Sequence, residues 1–145
     1  MQLISLLAFV LLLSRKRNLQ HLTKELIGEF IQNHKIELSS THPNLCLPVI
    51  NRIFKKMAAG IKFSGIKVEN GLICDGHHRY IASILANIPL EIIPGNVTSA
   101  TTVVGWESVI FDDEDWDTTA KINMLNEQDA AYNNIAVEKI VELLK

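Results

Sequence analysis

The sequence predicts an α+β domain, a small sheet with helices packed against it and further helices at both ends, and three observations carry that prediction. Apolar residues recur at helical spacing in several separate stretches. An Asn70-Gly71 pair stands between two β-prone runs, the strongest short-range hairpin signal a sequence offers. The second run passes through Asp75-Gly76 directly into a helical pattern that ends at Ile88-Pro89, with another β-prone run beyond. At 145 residues the chain suits one hydrophobic core and is short for two. We divide it into an apolar segment and amphipathic helix over 1–35, a core over 36–111, and an acidic loop with a closing helix over 112–145.

At the N-terminus, Leu3 to Leu13 is almost unbroken apolar sequence followed by Arg15-Lys16-Arg17. The stretch is too short for a bilayer, which needs roughly 20 residues. Basic residues follow it rather than precede it, and no small-residue cleavage site comes after it, so it does not read as a secretory signal. A helix packed on the domain or on a protein partner, and a membrane contact through residues 3–17, both fit. From Asn18 to His34, Leu19, Leu22, Leu26, Ile27, Phe30 and Ile31 mark one buried helical face. Glu37 to Asn44 collects turn formers, and Leu45 to Leu47 reads as a short strand before Pro48.

Val49 to Ala59 reads as a helix, with Val49, Ile50, Ile53, Phe54 and Met57 inward, Arg52, Lys55 and Lys56 outward, the two lysines as a solvated face, and Gly60 as its C-cap. The hairpin joins Gly65–Val68 to Leu72–Cys74, and Cys74 is expected as a small buried hydrophobe. His77 to Asn87 is helical, with Tyr80, Ile81, Ile84 and Leu85 as its stripe. Strands are expected at Leu90–Ile93 and across Val103–Phe111, the latter broken by Gly105. Asp112 to Asp117 reads as a solvated acidic loop around Trp116, because its spacing fits no EF-hand. A helical pattern resumes from Asp117, with Asn126 as an N-cap and Ala130, Ala131, Ile135, Val137, Ile140, Val141 and Leu144 as an apolar face.

Charge is unevenly distributed. Residues 1–90 hold 11 Lys/Arg against 5 Asp/Glu, and residues 91–145 hold 3 against 11. An anionic ligand held by the first part, with the acidic end masking that surface, and two separately solvated faces are both consistent with this split. Cys46 and Cys74 are too few for a disulfide framework and lack zinc-site spacing, which points to a reducing, cytoplasmic setting.

The chemistry concentrates at Asp75-Gly76-His77-His78-Arg79, where a strand meets a helix start. A helix N-terminus exposes unpaired backbone N–H groups and positive dipole, so a glycine turn there cradles phosphate oxygens. Arg79 adds a permanently charged fork, and His77 and His78 add groups that titrate near neutral pH. Asp75 could cap the helix, orient a histidine or hold a cation. His21, His34 and His42 have no such neighbours in sequence.

The run from Gly71 to Ala82 resembles the signature of the ParB/sulfiredoxin superfamily, over about residues 45–95. In ParB proteins the corresponding turn, a glycine followed by an acidic residue and two arginines, grips a nucleotide triphosphate. In sulfiredoxins it reads glycine, glycine, cysteine, histidine, arginine. On that pattern Gly76 matches the second glycine, His77 stands in place of the catalytic cysteine, and His78 and Arg79 match the histidine and arginine. Without a cysteine at 77, sulfinic acid reduction is excluded, and no helix-turn-helix suited to centromere DNA is evident. The resemblance implies a small mixed sheet and a phosphate-binding core, which also occurs in ParB-like nuclease and effector modules.

The turn supports two enzymatic expectations. In one, the domain binds ATP or CTP, with Mg²⁺ or another divalent cation, and hydrolyses it or transfers its phosphate. Gly76, His77, His78 and Arg79 would hold the phosphates, and Glu69 or Asp75 would serve metal or base chemistry. In the other it is a metal-dependent nuclease or exported effector, with His77 or His78 as base or ligand and nucleic acid as partner. A third reading is a non-catalytic module that recognises a phosphorylated partner.

Overall fold

Residues 21–145 are described by a computed structural model, and the expectations for residues 3–17 lie outside them. The elements are, in order, α1 (Lys24–Asn33), β1 (Asn44–Cys46), α2 (Leu47–Ala58), β2 (Ile66–Glu69), β3 (Leu72–Asp75), α3 (His77–Ala86), β4 (Ile92–Pro94), β5 (Ile110–Asp112), α4 (Thr119–Tyr132) and α5 (Val137–Leu143). This is an α+β fold. Among the described residues, no helix is long and apolar enough to cross a membrane.

The hairpin forms at the expected turn. Asn70 and Gly71 both take positive φ, 51° and 75°, as a two-residue primed turn requires. β2 pairs antiparallel with β3 and parallel with β4, so the sheet is mixed in the order β3-β2-β4. Val68 faces Ile73 while Lys67 faces Asp75, which leaves Cys74 as a bulge. A bulge at the end of a strand bends it and re-aims the next stretch of chain, here the turn into α3. Cys74 is therefore half-buried rather than sealed in the core, and Cys46 is the fully buried thiol. A second, two-stranded parallel sheet joins β1 to β5.

The core lies between α1, α2, α3 and the strands, where Ile27, Phe30, Leu45, Ile50, Ile73, Ile81 and Leu85 are essentially inaccessible. Burying each such side chain contributes about 1.5–3 kcal/mol. α1 and the 36–111 stretch thus share one core. Its start is set by Thr23, whose hydroxyl accepts the Leu26 N–H, so the helix begins later than the Asn18 expected from periodicity alone. Leu22, ahead of it, is clamped by buried Asn51, which binds both its backbone N–H and its carbonyl.

Three further expectations are corrected. Val103–Phe111 is not one strand, because Val104 bridges Ser40 and a 3-10 turn at Trp106–Ser108 intervenes before β5. Trp106 leaves strand geometry so that its Nε1–H can reach the Leu38 carbonyl at 2.8 Å. Asn126 is no cap. α4 starts at Thr119, capped by the Thr118 hydroxyl, and left-handed Asn134 (φ 53°) separates it from α5. Finally, Lys56 is not on a solvated face, since only 4% of it is exposed and its Nζ lies 2.7 Å from Asp129 Oδ2.

Candidate functional site

Between the start of α3, one side of α2 and the overhanging α4 lies a cavity of about 640 Å³. Asp75, Gly76, His77, His78 and Arg79 all line it. Gly76 holds the N-cap position of α3, its φ of 99° and ψ of 30° are left-handed, and no side chain caps the helix. Asp75 is therefore not the N-cap. The first amide of this turn to find a helix carbonyl is that of Tyr80, which reaches Gly76 O at 2.8 Å, so the N–H groups of His77, His78 and Arg79 precede the hydrogen-bonded ladder. A Cβ on residue 76 would come within 2.6 Å of Ile66 Cγ2 and 2.8 Å of Arg79 Nη2. Glycine is required by both conformation and space.

Arg79 folds back across that glycine. Its Nη2 donates to Gly65 O at 3.2 Å and lies 3.5 Å from Asp75 Oδ2. Nε is buried and has no hydrogen-bond partner among the described residues. The guanidinium thus keeps donor capacity that the protein does not use.

Both histidines are tied to backbone. Thr41 N–H donates to His77 Nε2 and Cys46 N–H donates to His78 Nε2, each at 3.0 Å. A backbone amide can only donate, so the network assigns the lone pair to each Nε2 and the proton of the neutral ring to Nδ1. Burial, reinforced by His42 and His78, pushes His77 down to about 4, against a smaller pull from Asp75. Burial, with His42 and Arg79, likewise pushes His78 down to about 4, opposed by Asp117. Near neutral pH the two rings are uncharged N–H donors beside the turn. Neither Nε2 can take a proton without breaking its backbone bond.

Glu69 does not join this group. It sits at the hairpin end of β2, where its carboxylate accepts the Val97 N–H, and it does not line the cavity. The acidic loop is largely exposed, as expected, yet several of its carboxylates reach onto the basic body. Asp115 grips Arg52 with both oxygens, Asp117 adds a contact at 3.2 Å, and Asp113 meets Lys24. The masking of the basic part by the acidic part is thus visible as ion pairs. Of the cavity-lining cations, Arg52 is covered by the loop and Lys56 by Asp129 of α4, while Arg79 meets Asp75 at 3.5 Å. Among the described residues no three His, Cys, Asp or Glu side chains gather as a metal centre would need.

No protein family, curated protein or solved structure matches the chain. The site therefore rests on its own geometry, which offers backbone amides, a guanidinium and two imidazole N–H donors on one cavity wall, a set suited to oxyanion docking.

Several site residues escape the sequence reading. His42, which has no such neighbours in sequence, stacks on His77 with ring centroids 3.9 Å apart. Trp116 meets His78 edge-on at 5.4 Å. No local pattern announces either contact, since both come from loops brought in by the fold. Asn126 did leave a signal. Ile122, Leu125, Asn126 and Asp129 follow i, i+3, i+4, i+7 spacing, which places a polar amide on the inward face of α4.

Proposed function

We propose that this chain is a ParB-like domain that binds a nucleotide through its phosphates at the Asp75–Arg79 turn. The observation that carries the reading is the uncapped start of α3 at a left-handed glycine, with Arg79 folded over it and the turn open to the cavity. The amides there, the positive end of the helix and Arg79 favour negative charge, and the neutral Nδ1–H groups of His77 and His78 add donors. The turn's resemblance to the ParB/sulfiredoxin pattern supports the same ligand. A cavity of about 640 Å³ suits a small molecule better than a phosphate on a protein surface. A divalent cation such as Mg²⁺ arriving with the phosphates keeps mostly water ligands, and the exposed carboxylate of Asp75 is the group at hand for it. The engagement of both Nε2 atoms favours holding the phosphates over proton abstraction by either histidine. The unpaired Cys46 and Cys74 accord with a reducing, cytoplasmic setting.

The test is thermal unfolding with ATP, CTP or GTP and Mg²⁺, on the natural chain and on Arg79→Ala. At a hundredfold excess over its dissociation constant, a bound nucleotide stabilises by about 2.7 kcal/mol. We expect at least one nucleotide to do so and Arg79→Ala to lose most of the effect. No stabilisation by any nucleotide, or equal stabilisation of the variant, rejects the reading. Metal-dependent cleavage of plasmid or RNA that vanishes on substituting His77 or His78 would put the nuclease in its place.

A further inference from the structure

Trp116 lines the same cavity as His78 and Arg79, and 50% of it is exposed, although tryptophan is highly buried on average. The residue is nevertheless held on several sides. Its backbone N–H meets Cys46 Sγ at 3.3 Å, its Nε1–H reaches Asp112 Oδ2 at 3.2 Å, and its ring meets that of His78 with centroids 5.4 Å apart. Its two chain neighbours on that loop, Asp115 and Asp117, are both paired with Arg52. The planes of the Trp116 and His78 rings stand at 84°. In such an edge-on pair one ring offers its edge and the other its face, so at least one indole face is left uncovered by the imidazole. Trp106 is the contrast, since it is 7% exposed and its Nε1–H is engaged by the Leu38 carbonyl.

A fixed, half-open aromatic ring beside a phosphate-docking turn is a surface on which a base can stack, because every base carries a π-face whatever groups stand on its edge. We propose that Trp116 is the base platform of the nucleotide site: the ring of the ligand lies on the open indole face while its phosphates dock at the α3 turn. The inference rests on the nucleotide reading above and deepens it, from the phosphates to the base. Selection goes by ring area, purine over pyrimidine, because the gain from stacking grows with the apolar surface covered.

The experiment titrates the full chain, in Mg²⁺, with ATP, with CTP and with tripolyphosphate, which has the phosphates and no ring, and reads tryptophan fluorescence alongside calorimetric affinity. ATP is expected to quench the emission while tripolyphosphate leaves it nearly unchanged, and Trp116→Leu should abolish the quenching. The ratio of ATP to tripolyphosphate affinity should fall about fivefold or more in Trp116→Leu, the lower end of the effect of stacking one base. Trp116→Phe, which keeps a ring, should recover part of that ratio. Because the readout is a ratio on one variant, a general loss of affinity cancels. A ratio unchanged in Trp116→Leu, quenching by tripolyphosphate equal to that by ATP, or CTP bound more tightly than ATP overturns the platform while leaving phosphate binding at the turn intact. Failure of tripolyphosphate and of every nucleotide to bind the natural chain removes the turn reading and the platform together.

Discussion

His77 and His78 accept hydrogen bonds from backbone amides more than thirty residues upstream, and that fixes how acid acts on the fold. In the unfolded chain each would titrate near its ordinary 6.5, whereas burial holds both at about 4 in the folded protein. Between those values the unfolded state binds more protons, so stability is complete above about pH 6.5 and falls as the pH drops toward 4. Unfolding titrations across that window should show an uptake approaching two protons, one per histidine. His78→Gln, whose amide oxygen can still accept the Cys46 N–H, should remove about one of them. A midpoint that is flat from pH 7 to 4.5 would refute the tie. At this scale the sequence was informative where chemistry is local: Gly76 and Arg79 stand out because a glycine before a helix start and an arginine in its first turn have consequences wherever the chain goes. Thr41 and His42, which also build the site, carry no such mark, since their roles come only from a loop laid against α3.

Elements were legible to different degrees for the same reason. The Asn70-Gly71 hairpin and α3 depend on turn chemistry and a strong apolar stripe, and both appear within a residue or two of their expected limits. α4 was misread because it has no comparable stripe. Asn126 and Ala130 are its buried residues, and its start is set by Thr118 rather than by the more conspicuous asparagine. What fixes α4 is polar. Lys56 meets Asp129, and Asn133 both accepts the Lys62 N–H and donates to the Lys62 carbonyl. Lys56→Met should keep the volume but leave Asp129 unpaired at a partly buried position, at a cost of about 1–3 kcal/mol in denaturant melts. Adding Asp129→Asn in a double-mutant cycle should recover part of that loss. Additive effects of the two substitutions would mean that the pair does not hold α4 to α2.

For the whole molecule, the uneven charge of the chain becomes a clasp. The acidic final third closes over the basic body through Lys24–Asp113, Arg52–Asp115, Arg52–Asp117 and Lys56–Asp129, with the cavity beneath α4. A helix held by ion pairs and a few hydrogen bonds, with little buried apolar surface, belongs to the low end of local stability. Amides of residues 119–132 should therefore exchange with solvent faster than those of Ile81 to Leu85, whose helix is anchored in the core. A ligand that touches both walls would give α4 the contacts its sequence lacks. Hydrogen exchange followed by mass spectrometry, with and without a saturating nucleotide, should show slowing across 119–132 as well as at the α3 turn. Slowing confined to residues 76–80 would place the ligand at the turn alone and leave α4 serving the charge clasp without any part in binding.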